Sequence, residues 1–509
     1  MLTTAYTAGI FGIDGFIITV ECNAFQEIPS FEIVGLPDAA VKEAKQRVQA
    51  AATNSGYRMP EMAVTINLAP ADVKKEGSAF DLAILVSMLT LSRIIPGDAP
   101  LEDSCFIGEL SFSGAVRGVR GVLPMVMAAR DAGKKYVFVP EANAPEAAVV
   151  SGISVFGVSS ICDVVDHFNK TAALEPKKST TDEFALLCNS GLDFCDVKGQ
   201  ERAKRAMEIA AAGGHNILLI GPPGSGKSML AKRLPSILPP MTFEEALVTT
   251  KIHSVSGLLG EGQSLVAIRP FRSPHHTLSA PSLVGGGKNP APGEISIANN
   301  GVLFLDELPE FPKNVSESLR QPLEDGKVTI TRTAGRVTFP SSFMLVAAMN
   351  PCKCGYFGSR SKQCTCKKED IKRYLAKISG PLLDRIDIQV EMPALEYEEL
   401  SRKGVGEASE KVRDRVCAAR ERARERFEGT SITCNAQMQS AQIREHCGLD
   451  PAGNTILKKA FENMGMSARG YDRILRVART IADLDGSEKV LAKHVAEAVQ
   501  LRSLDRKYW

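Results

Sequence analysis

A strand, a glycine-rich turn and a helix follow one another without a gap at residues 215–234, and no other stretch constrains the fold as strongly. The segment reads HNILLIGPPGSGKSMLAKRL, with the pattern G-x-x-x-x-G-K-S at 221–228. Glycines at these places let backbone N–H groups turn toward an anion, and the lysine adds a positive charge. A chance glycine turn explains neither the strand before it nor the helix after it. The segment therefore predicts an α/β core that binds the phosphates of a nucleotide.

Two further apolar strands end in polar residues suited to hydrolysis. VLFL precedes Asp306 and Glu307, and LVAAM precedes Asn350. In this reading Lys227 reaches the terminal phosphates, and Ser228 and Asp306 hold Mg²⁺. Glu307 polarises the attacking water, and the Asn350 amide hydrogen-bonds the γ-phosphate and that water. The predicted ATP-binding residues are Gly221, Pro222, Pro223, Gly224, Ser225, Gly226, Lys227, Ser228 and Asp306.

Two arginines are candidates for completing this site. Arg385 lies in GPLLDRIDI, between apolar residues and acidic neighbours. It is either a structural salt bridge or an arginine finger that reaches a neighbouring subunit's γ-phosphate and neutralises developing charge. Arg469 stands at the start of a helix in SARGYDRILRVARTIADL, and Arg473 on the same helix is the alternative to it.

Composition places the chain among ordinary globular proteins. It has 509 residues, 44% of them hydrophobic, and a net charge of +2, so any surface that attracts nucleic acid must be local. The sequence contains no apolar run long enough to span a membrane and no recognisable signal peptide. We therefore expect a cytoplasmic protein whose 12 cysteines are mostly reduced, buried or metal-bound.

The pattern of elements predicts four parts. Short β-like runs alternate with helices before a polar linker, then come the nucleotide-type strands, and after about residue 395 only amphipathic helices follow. The predicted parts are an α+β domain at 1–168, the linker at 169–184, an α/β ATPase core at 185–394 and a helical lid at 395–509.

Two segments of the core have the character of insertions. KVTITRTAGRVTFP, 327–340, predicts a β-hairpin with Arg332 and Arg336 flanking its turn. These arginines either contact the phosphates of a nucleic acid strand or are surface charges on a solvated turn. The second segment, 255–293, is rich in Gly, Ser and Pro and contains the adjacent pair His275 and His276, for which we expect a loop-ordering or subunit-contact role.

Four cysteines fall in a basic loop at 350–370, NPCKCGYFGSRSKQCTCKKED. Two C-x-C pairs with nine residues between them can place four thiolates around one tetrahedral Zn²⁺. Four reduced thiols are the main alternative, a disulfide is disfavoured in the cytoplasm, and a catalytic zinc is not expected because four thiolates leave no open position. The cysteines are Cys352, Cys354, Cys364 and Cys366, and the basic side chains are Lys353, Arg360, Lys362, Lys367 and Lys368.

The order of these motifs, together with RPFRSPHHT and LPEFPKNVSESLRQPLEDG, resembles the YifB/ComM family of magnesium-chelatase-like AAA+ ATPases over nearly the whole chain. The resemblance implies Walker A roles for Lys227 and Ser228, Walker B roles for Asp306 and Glu307, and a sensor 1 role for Asn350. By the same resemblance, Arg385 is the finger and Arg469 is sensor 2. The resemblance also implies that the protein forms a hexameric ring and acts as a helicase that extends branched recombination intermediates.

The N-terminal part resembles the ribosomal-S5-like fold of Lon-type proteases. KKEGSAFDLAI is similar to the turn that carries the protease nucleophile, with Ser78 near the matching place. The position of the general-base lysine holds Leu123, so the resemblance implies a protease fold without its catalytic pair.

We therefore expect an ATP-driven ring motor acting on DNA in recombination or natural transformation. Three other functions stay open: a metal-chelatase motor subunit that remodels a partner, an ATP-dependent protease, and a nucleotide-sensing scaffold. The missing lysine argues against the protease. Glu307 and Arg385 argue against the scaffold.

Overall fold

A computed structural model describes residues 1–178, 191–260, 262–287, 290–332, 335–359, 362–394, 406–464, 466–504 and 508. Contacts between Cα atoms divide the chain into two compact units. One unit comprises 1–187 and 243–267, and the other comprises 188–242 and 268–509. Part of the predicted linker, 179–184, lies outside the described residues, as do Arg360 and residues 395–405.

The first unit is built on a four-stranded and a three-stranded sheet, with an additional two-stranded antiparallel sheet, β6–β7. In the larger sheet, of order β1-β2-β4-β3, the pairs β1–β2 and β2–β4 are antiparallel and β3–β4 is parallel; the smaller sheet is a parallel one of order β5-β8-β9. The elements are β1 (Leu2–Phe11), β2 (Asp14–Phe25), β3 (Ser30–Val34), α1 (Ala39–Asn54), β4 (Ala63–Ala69), α2 (Asp81–Leu91), β5 (Ser104–Phe106), β6 (Glu109–Leu110), β7 (Val116–Arg117), α3 (Val122–Asp131), β8 (Tyr136–Pro140), α4 (Ala144–Ala147), β9 (Ser154–Val158) and α5 (Ile161–Phe168).

Local sequence explains the helices of this unit. α1 begins where the Asp38 carboxylate accepts a hydrogen bond from the Val41 N–H. α2 is buried along its whole length, because its sequence is apolar on every side. The mixture of antiparallel and parallel pairs around these helices gives the α+β domain that the sequence indicates.

The segment 243–267 packs within this first unit, although the sequence places it between nucleotide motifs. It carries helix α8 (Phe243–Val255), which follows helices α6 (Glu201–Gly213) and α7 (Lys227–Lys232) of the second unit in the sequence. The Ser254 hydroxyl donates to the buried Glu146 carboxylate at 2.8 Å, and Lys251 pairs with Asp14 at 2.7 Å. The segment 255–293 is therefore not a single insertion, because its first part packs within one unit and its second part within the other.

The second unit contains a five-stranded parallel sheet of order β11-β14-β17-β10-β18. Its three central strands are fully buried, which explains their unbroken apolar sequences. The elements of this core are α6 (Glu201–Gly213), β10 (Ile217–Ile220), α7 (Lys227–Lys232), β11 (Phe271–Arg272), α9 (Ala280–Val284), β12 (Gly285–Gly286), β13 (Ala291–Pro292), α10 (Glu294–Ile297), β14 (Val302–Leu305), α11 (Lys313–Ser318), α12 (Arg320–Asp325), β15 (Lys327–Arg332), β16 (Gly335–Pro340), β17 (Met344–Met349), α13 (Lys368–Leu375), α14 (Gly380–Leu383) and β18 (Ile388–Glu391).

The described residues after 405 form helices, as the amphipathic patterns predict, and these pack into the same core as the parallel sheet. The last of these helices begins at Ala492, and Val490 before it forms a β-bridge with Leu449. No helix among the described residues combines the length and apolar character that crossing a membrane requires. The helices are α15 (Ser409–Arg426), α16 (Ser440–His446), α17 (Pro451–Met464), α18 (Ala468–Leu484) and α19 (Ala492–Gln500).

Candidate ATPase site

The predicted nucleotide residues meet at one edge of the parallel sheet. β10 leads into the glycine loop, β14 into Asp306 and β17 into Asn350. These three strands are neighbours and run in the same direction, so their carboxyl ends lie side by side. In open α/β sheets this edge is where ligands bind.

The glycine loop has the shape of a phosphate cradle. A Cβ atom at Gly221 would lie 2.3 Å from the Met392 carbonyl oxygen, so no other residue fits there. Gly226 adopts φ 88° directly before α7, which directs the loop into the N-terminus of that helix. The loop's geometry therefore fits a triphosphate by backbone shape, independently of any side chain.

Lys227 links the glycine loop to Asn350. Its Nζ atom donates to the carbonyl oxygens of Gly221 at 2.8 Å and Pro222 at 2.9 Å, and to Asn350 Oδ1 at 3.2 Å. Burial lowers the pKa of Lys227, and the nearby carboxylates of Asp306 and Glu307 oppose that shift. The strands thus bring together Lys227, Asp306, Glu307 and Asn350, which lie up to 123 positions apart in the sequence.

Glu307 has an unusual backbone. It adopts φ 53°, in the left-handed region that a non-glycine residue occupies at a cost of about 1–3 kcal/mol. The Glu307 N–H donates to the Asp306 carboxylate at 3.0 Å, and the Glu307 side chain is exposed. Because the Glu307 side chain is exposed, a water molecule can reach its carboxylate.

Sequence reasoning missed two residues at this edge. His276 Nδ1 lies 3.8 Å from Glu307 Oε2, and its ring stands edge-on to Phe311. Gln200, in a left-handed backbone conformation, donates from Nε2 to the carbonyl oxygens of Ser225 and Pro393. The adjacent histidine pair was the available signal for His276. No sequence signal distinguishes Gln200 from the other polar residues of the chain.

Arg385 lies at the opposite edge of the sheet. The Arg385 carbonyl accepts a hydrogen bond from Asn216, the residue directly before β10. A four-residue strand separates this edge from the glycine loop by about 13 Å. The guanidinium donates to the carboxylate of Glu324 and, at 2.8 Å, to the Pro381 carbonyl. In the single chain this arginine therefore forms an ion pair with Glu324, and its backbone lies about one strand length from its own glycine loop.

The two arginines of α18 have different surroundings. Arg469 is exposed in the first turn of the helix, whose cap is the Ser467 hydroxyl. Arg473 is buried, with Nε 3.3 Å from Asp387 Oδ1. Asp387 directly precedes β18 and therefore lies at the edge opposite the glycine loop. This geometry argues for Arg469 over Arg473 as the nucleotide-contacting residue.

Three family models for subunit ChlI of magnesium chelatase match the chain. They cover residues 20–143, 193–400 and, as the C-terminal model, 406–502. Competence protein ComM of Haemophilus influenzae is 41% identical over 99% of this chain and 98% of its own length. YifB of Escherichia coli is 42% identical over the same shares. This chain belongs to the YifB/ComM family of magnesium-chelatase-like AAA+ ATPases.

The N-terminal domain of this family member has a more distant relative. Lon protease of Mycolicibacterium smegmatis is 26% identical over 32% of the chain and 22% of that protein. Ser78 donates a hydrogen bond to the carboxylate of Glu109, and Leu123 is fully buried in α3. The α+β, S5-like fold expected for this domain is confirmed, and the position matched to the protease lysine belongs to its hydrophobic core.

The hairpin of this AAA+ core forms as predicted. β15 and β16 are antiparallel, with Arg332 opposite Gly335 and Thr331 opposite Arg336. Opposite residues share a face and successive residues alternate, so the two arginines lie on different faces of the ribbon. Both are exposed. Thr333 and Ala334, at the predicted turn, lie outside the described residues.

The four cysteines of the basic loop converge. Their Sγ atoms lie within 4.8 Å of one another. Burial opposes ionisation of Cys354, but N–H groups of Tyr356 and Thr365 and the neighbouring thiols lower its pKa to about 5. The Cys366 N–H favours a Cys364 thiolate, yet burial and the neighbouring sulfurs outweigh it and raise the Cys364 pKa to about 12. A cation is needed before all four can ionise together.

Proposed function

We propose that this AAA+ ATPase assembles into a homohexameric ring that hydrolyses ATP and acts on DNA as a helicase or branch-migration factor. A relative covering almost the whole chain carries the name competence protein, which supports a role in recombination during natural transformation. The observation that carries the ATPase proposal is the convergence of Lys227, Asp306, Glu307 and Asn350 at one sheet edge. We expect the ring to act in the cytoplasm.

Each residue at the edge has a task in hydrolysis. Backbone N–H groups of the glycine loop and Lys227 hold the phosphates, and Ser228 and Asp306 would hold Mg²⁺. Bound Mg²⁺ supplies charge neutralisation on the phosphate oxygens. Glu307 orients the water and accepts its proton, while Asn350 fixes the water against the phosphate. The cofactors would be ATP, Mg²⁺ and, at the four-cysteine cluster, a structural Zn²⁺.

The position of Arg385 supports a shared site. An arginine about a strand's length from its own loop is available to a neighbouring subunit. The Glu324 side chain that pairs with it is 56% exposed and the Arg385 side chain is 16% exposed, so the ion pair is partly open to water. Water around Glu324 weakens the pair, and we infer that Arg385 leaves it for a neighbour's γ-phosphate and acts in trans. Arg469 is proposed to contact nucleotide from the lid.

The exposed arginines of the hairpin are the proposed DNA contacts. Arg332 and Arg336 place charge on both faces of a narrow ribbon, which suits a strand passing beside it in a channel. Their contribution would be sequence-independent, because phosphate contacts carry no base information. The lysines of the cysteine loop are a second basic surface.

The experiment that tests this function is a comparison of ATP hydrolysis with and without DNA. Single-stranded and branched DNA should each stimulate hydrolysis, and a labelled branched junction should be converted to products only with ATP. Glu307→Gln is the matched control, because it keeps the phosphate cradle. If no form of DNA changes the rate of ATP hydrolysis, the proposed action on DNA is wrong and the proposed ATPase activity still stands.

A metal-chelatase motor subunit is the second candidate. The three ChlI family models favour it, since together they span most of the chain. Such a subunit would be stimulated by a partner protein and not by DNA, so the same assay separates the two functions.

A further inference from the structure

We propose that Cys352, Cys354, Cys364 and Cys366 bind one Zn²⁺, and that the metal-held loop positions the ATP site. The first half rests on the geometry of the cluster alone. The second half also rests on the ATPase activity proposed above. Both halves are tested separately below.

The sulfur atoms are already spaced for one metal ion. Cys352 Sγ lies 3.3 Å from Cys354 Sγ and 3.7 Å from Cys364 Sγ, and the latter two are 3.6 Å apart. Four sulfurs at about 2.3 Å from a tetrahedral Zn²⁺ lie about 3.8 Å from each other. A disulfide would need about 2.05 Å. The arrangement therefore fits a metal site and no disulfide.

The donor set selects the kind of ion. Four thiolates are soft ligands that favour zinc, or iron in a tetrahedral sulfur site, over magnesium or calcium. Four protein ligands also fill the coordination sphere, so the ion would be structural. Backbone N–H groups reinforce this, since Phe357 N–H donates to Cys352 Sγ at 3.3 Å and stabilises its charge.

The loop is joined to the nucleotide site at its first residues. Asn350 precedes Cys352 by two positions and accepts a hydrogen bond from Lys227 at 3.2 Å. Any movement of Cys352 therefore reaches Asn350 through the one residue between them, Pro351.

The cysteine loop also contacts the glycine loop. A Cβ atom at Gly355 would lie 2.5 Å from Pro223 Cδ and 2.9 Å from Pro223 Cγ. Gly355 has φ +88°, so a larger residue is strained there as well as crowded. Fixing the cysteines thus fixes Gly355 against Pro223, and Pro223 belongs to the phosphate cradle.

Loss of the metal should loosen both contacts. Without it, the chain between Cys352 and Cys366 regains backbone freedom that the four metal–sulfur bonds would remove. Asn350 and Pro223 would then lose their fixed positions, and ATP would bind more weakly.

The first measurement is metal content. Protein purified under reducing, chelator-free conditions should carry about one zinc ion per chain by elemental mass spectrometry. A Cys364→Ser, Cys366→Ser variant should lose it, and Cys195→Ser, a thiol outside the cluster, should keep it. Iron in place of zinc would correct the ion's identity, and no metal at all would overturn the site.

The second measurement is the affinity for a fluorescent ATP analogue. The zinc-free variant should bind about tenfold more weakly, in the range typical of disturbed supporting contacts. Gly355→Ala should retain zinc and also bind more weakly, whereas Gly380→Ala, with no atom within 4 Å of its added Cβ, should bind normally. Unchanged affinity in folded, zinc-free protein would overturn the positioning role.

Folding is checked by circular dichroism. If the double serine variant does not fold, chelation of the unmodified protein followed by zinc return provides the same comparison, and affinity should fall and recover. Zinc-loaded protein that binds ATP but never hydrolyses it would contradict the proposed ATPase and leave the metal site standing.

Discussion

His276 Nδ1 lies 3.8 Å from Oε2 of Glu307, the proposed catalytic base. This separation exceeds a direct hydrogen bond, so the imidazole acts through its charge or through a bridging water. Its neighbour His275 is exposed and hydrogen-bonds Thr277. The two imidazole rings contact each other with centroids 4.1 Å apart, and His276 is the one whose Nδ1 lies close to Glu307.

His276→Ala should reduce turnover by about ten- to a hundredfold while leaving the KM for ATP near its original value, because Glu307 loses orientation and the phosphate cradle does not change. Steady-state kinetics measure both constants. His275→Ala is the matched control and should keep normal turnover. Equal effects of the two substitutions would show that the loop, and not the His276 ring, matters.

Glu307→Gln should bind ATP normally and lose about 10²–10⁴ in turnover, the usual contribution of a positioned base. A fluorescent nucleotide measures binding, and phosphate release measures turnover. Hydrolysis at the original rate would remove Glu307 from the mechanism.

Arg385→Ala should bind ATP yet fail to hydrolyse it, because the proposed role of its guanidinium is at the γ-phosphate of the neighbouring subunit. Mixing this variant with Lys227→Ala creates interfaces that pair an intact loop with an intact finger, and these should regain hydrolysis. Titrating the two proteins against each other at constant total concentration reveals the effect. As a control, Arg385→Ala is mixed with unmodified subunits, which shows how strongly one defective subunit inhibits the ring. If hydrolysis does not recover after this inhibition is taken into account, the active sites are not shared between subunits.

Arg332→Ala with Arg336→Ala should leave hydrolysis without DNA near normal, weaken DNA binding and reduce the slope of affinity against salt by about one unit per lost phosphate contact. Fluorescence anisotropy at several salt concentrations measures that slope. Since the side chains lie on different faces, the single variants also reveal which face meets DNA. Unchanged affinity would move the DNA surface to another part of the molecule.

Asp387→Asn should destabilise the protein near neutral pH by about 3–5 kcal/mol, because it leaves the buried Arg473 without its partner. Burial opposes ionisation of Asp387, but the His215 hydrogen bond and the Arg473 charge outweigh it and lower the pKa of this carboxyl. Its stabilisation is therefore complete above the unfolded value of about 3.9 and is lost as pH falls through the lower folded value.

Thermal unfolding across pH tests this. The difference in Tm between the two proteins should be constant near neutrality and shrink below about pH 4. Asp414→Asn, at an exposed position, is the control and should change little. A difference that persists in acid would assign the effect to packing and not to charge.

Much of the fold was predictable because strong local signals agree with the tertiary structure. The unbroken apolar runs before Gly221, Asp306 and Asn350 are buried parallel strands, and the alternation at 327–340 is a hairpin. Each of these depends on spacing along the chain, which a sequence states directly.

The sequence by itself determined the strand–loop–helix core, the polar residues that end its strands, and the two C-x-C pairs. The tertiary structure alone decided that His276 faces Glu307, that Arg473 belongs to an ion pair at the far edge, and that residues 243–267 pack with the first unit. It also placed Gly355 against Pro223. The physical reason is that these contacts join residues distant in sequence, and only strand order and loop path set their distances.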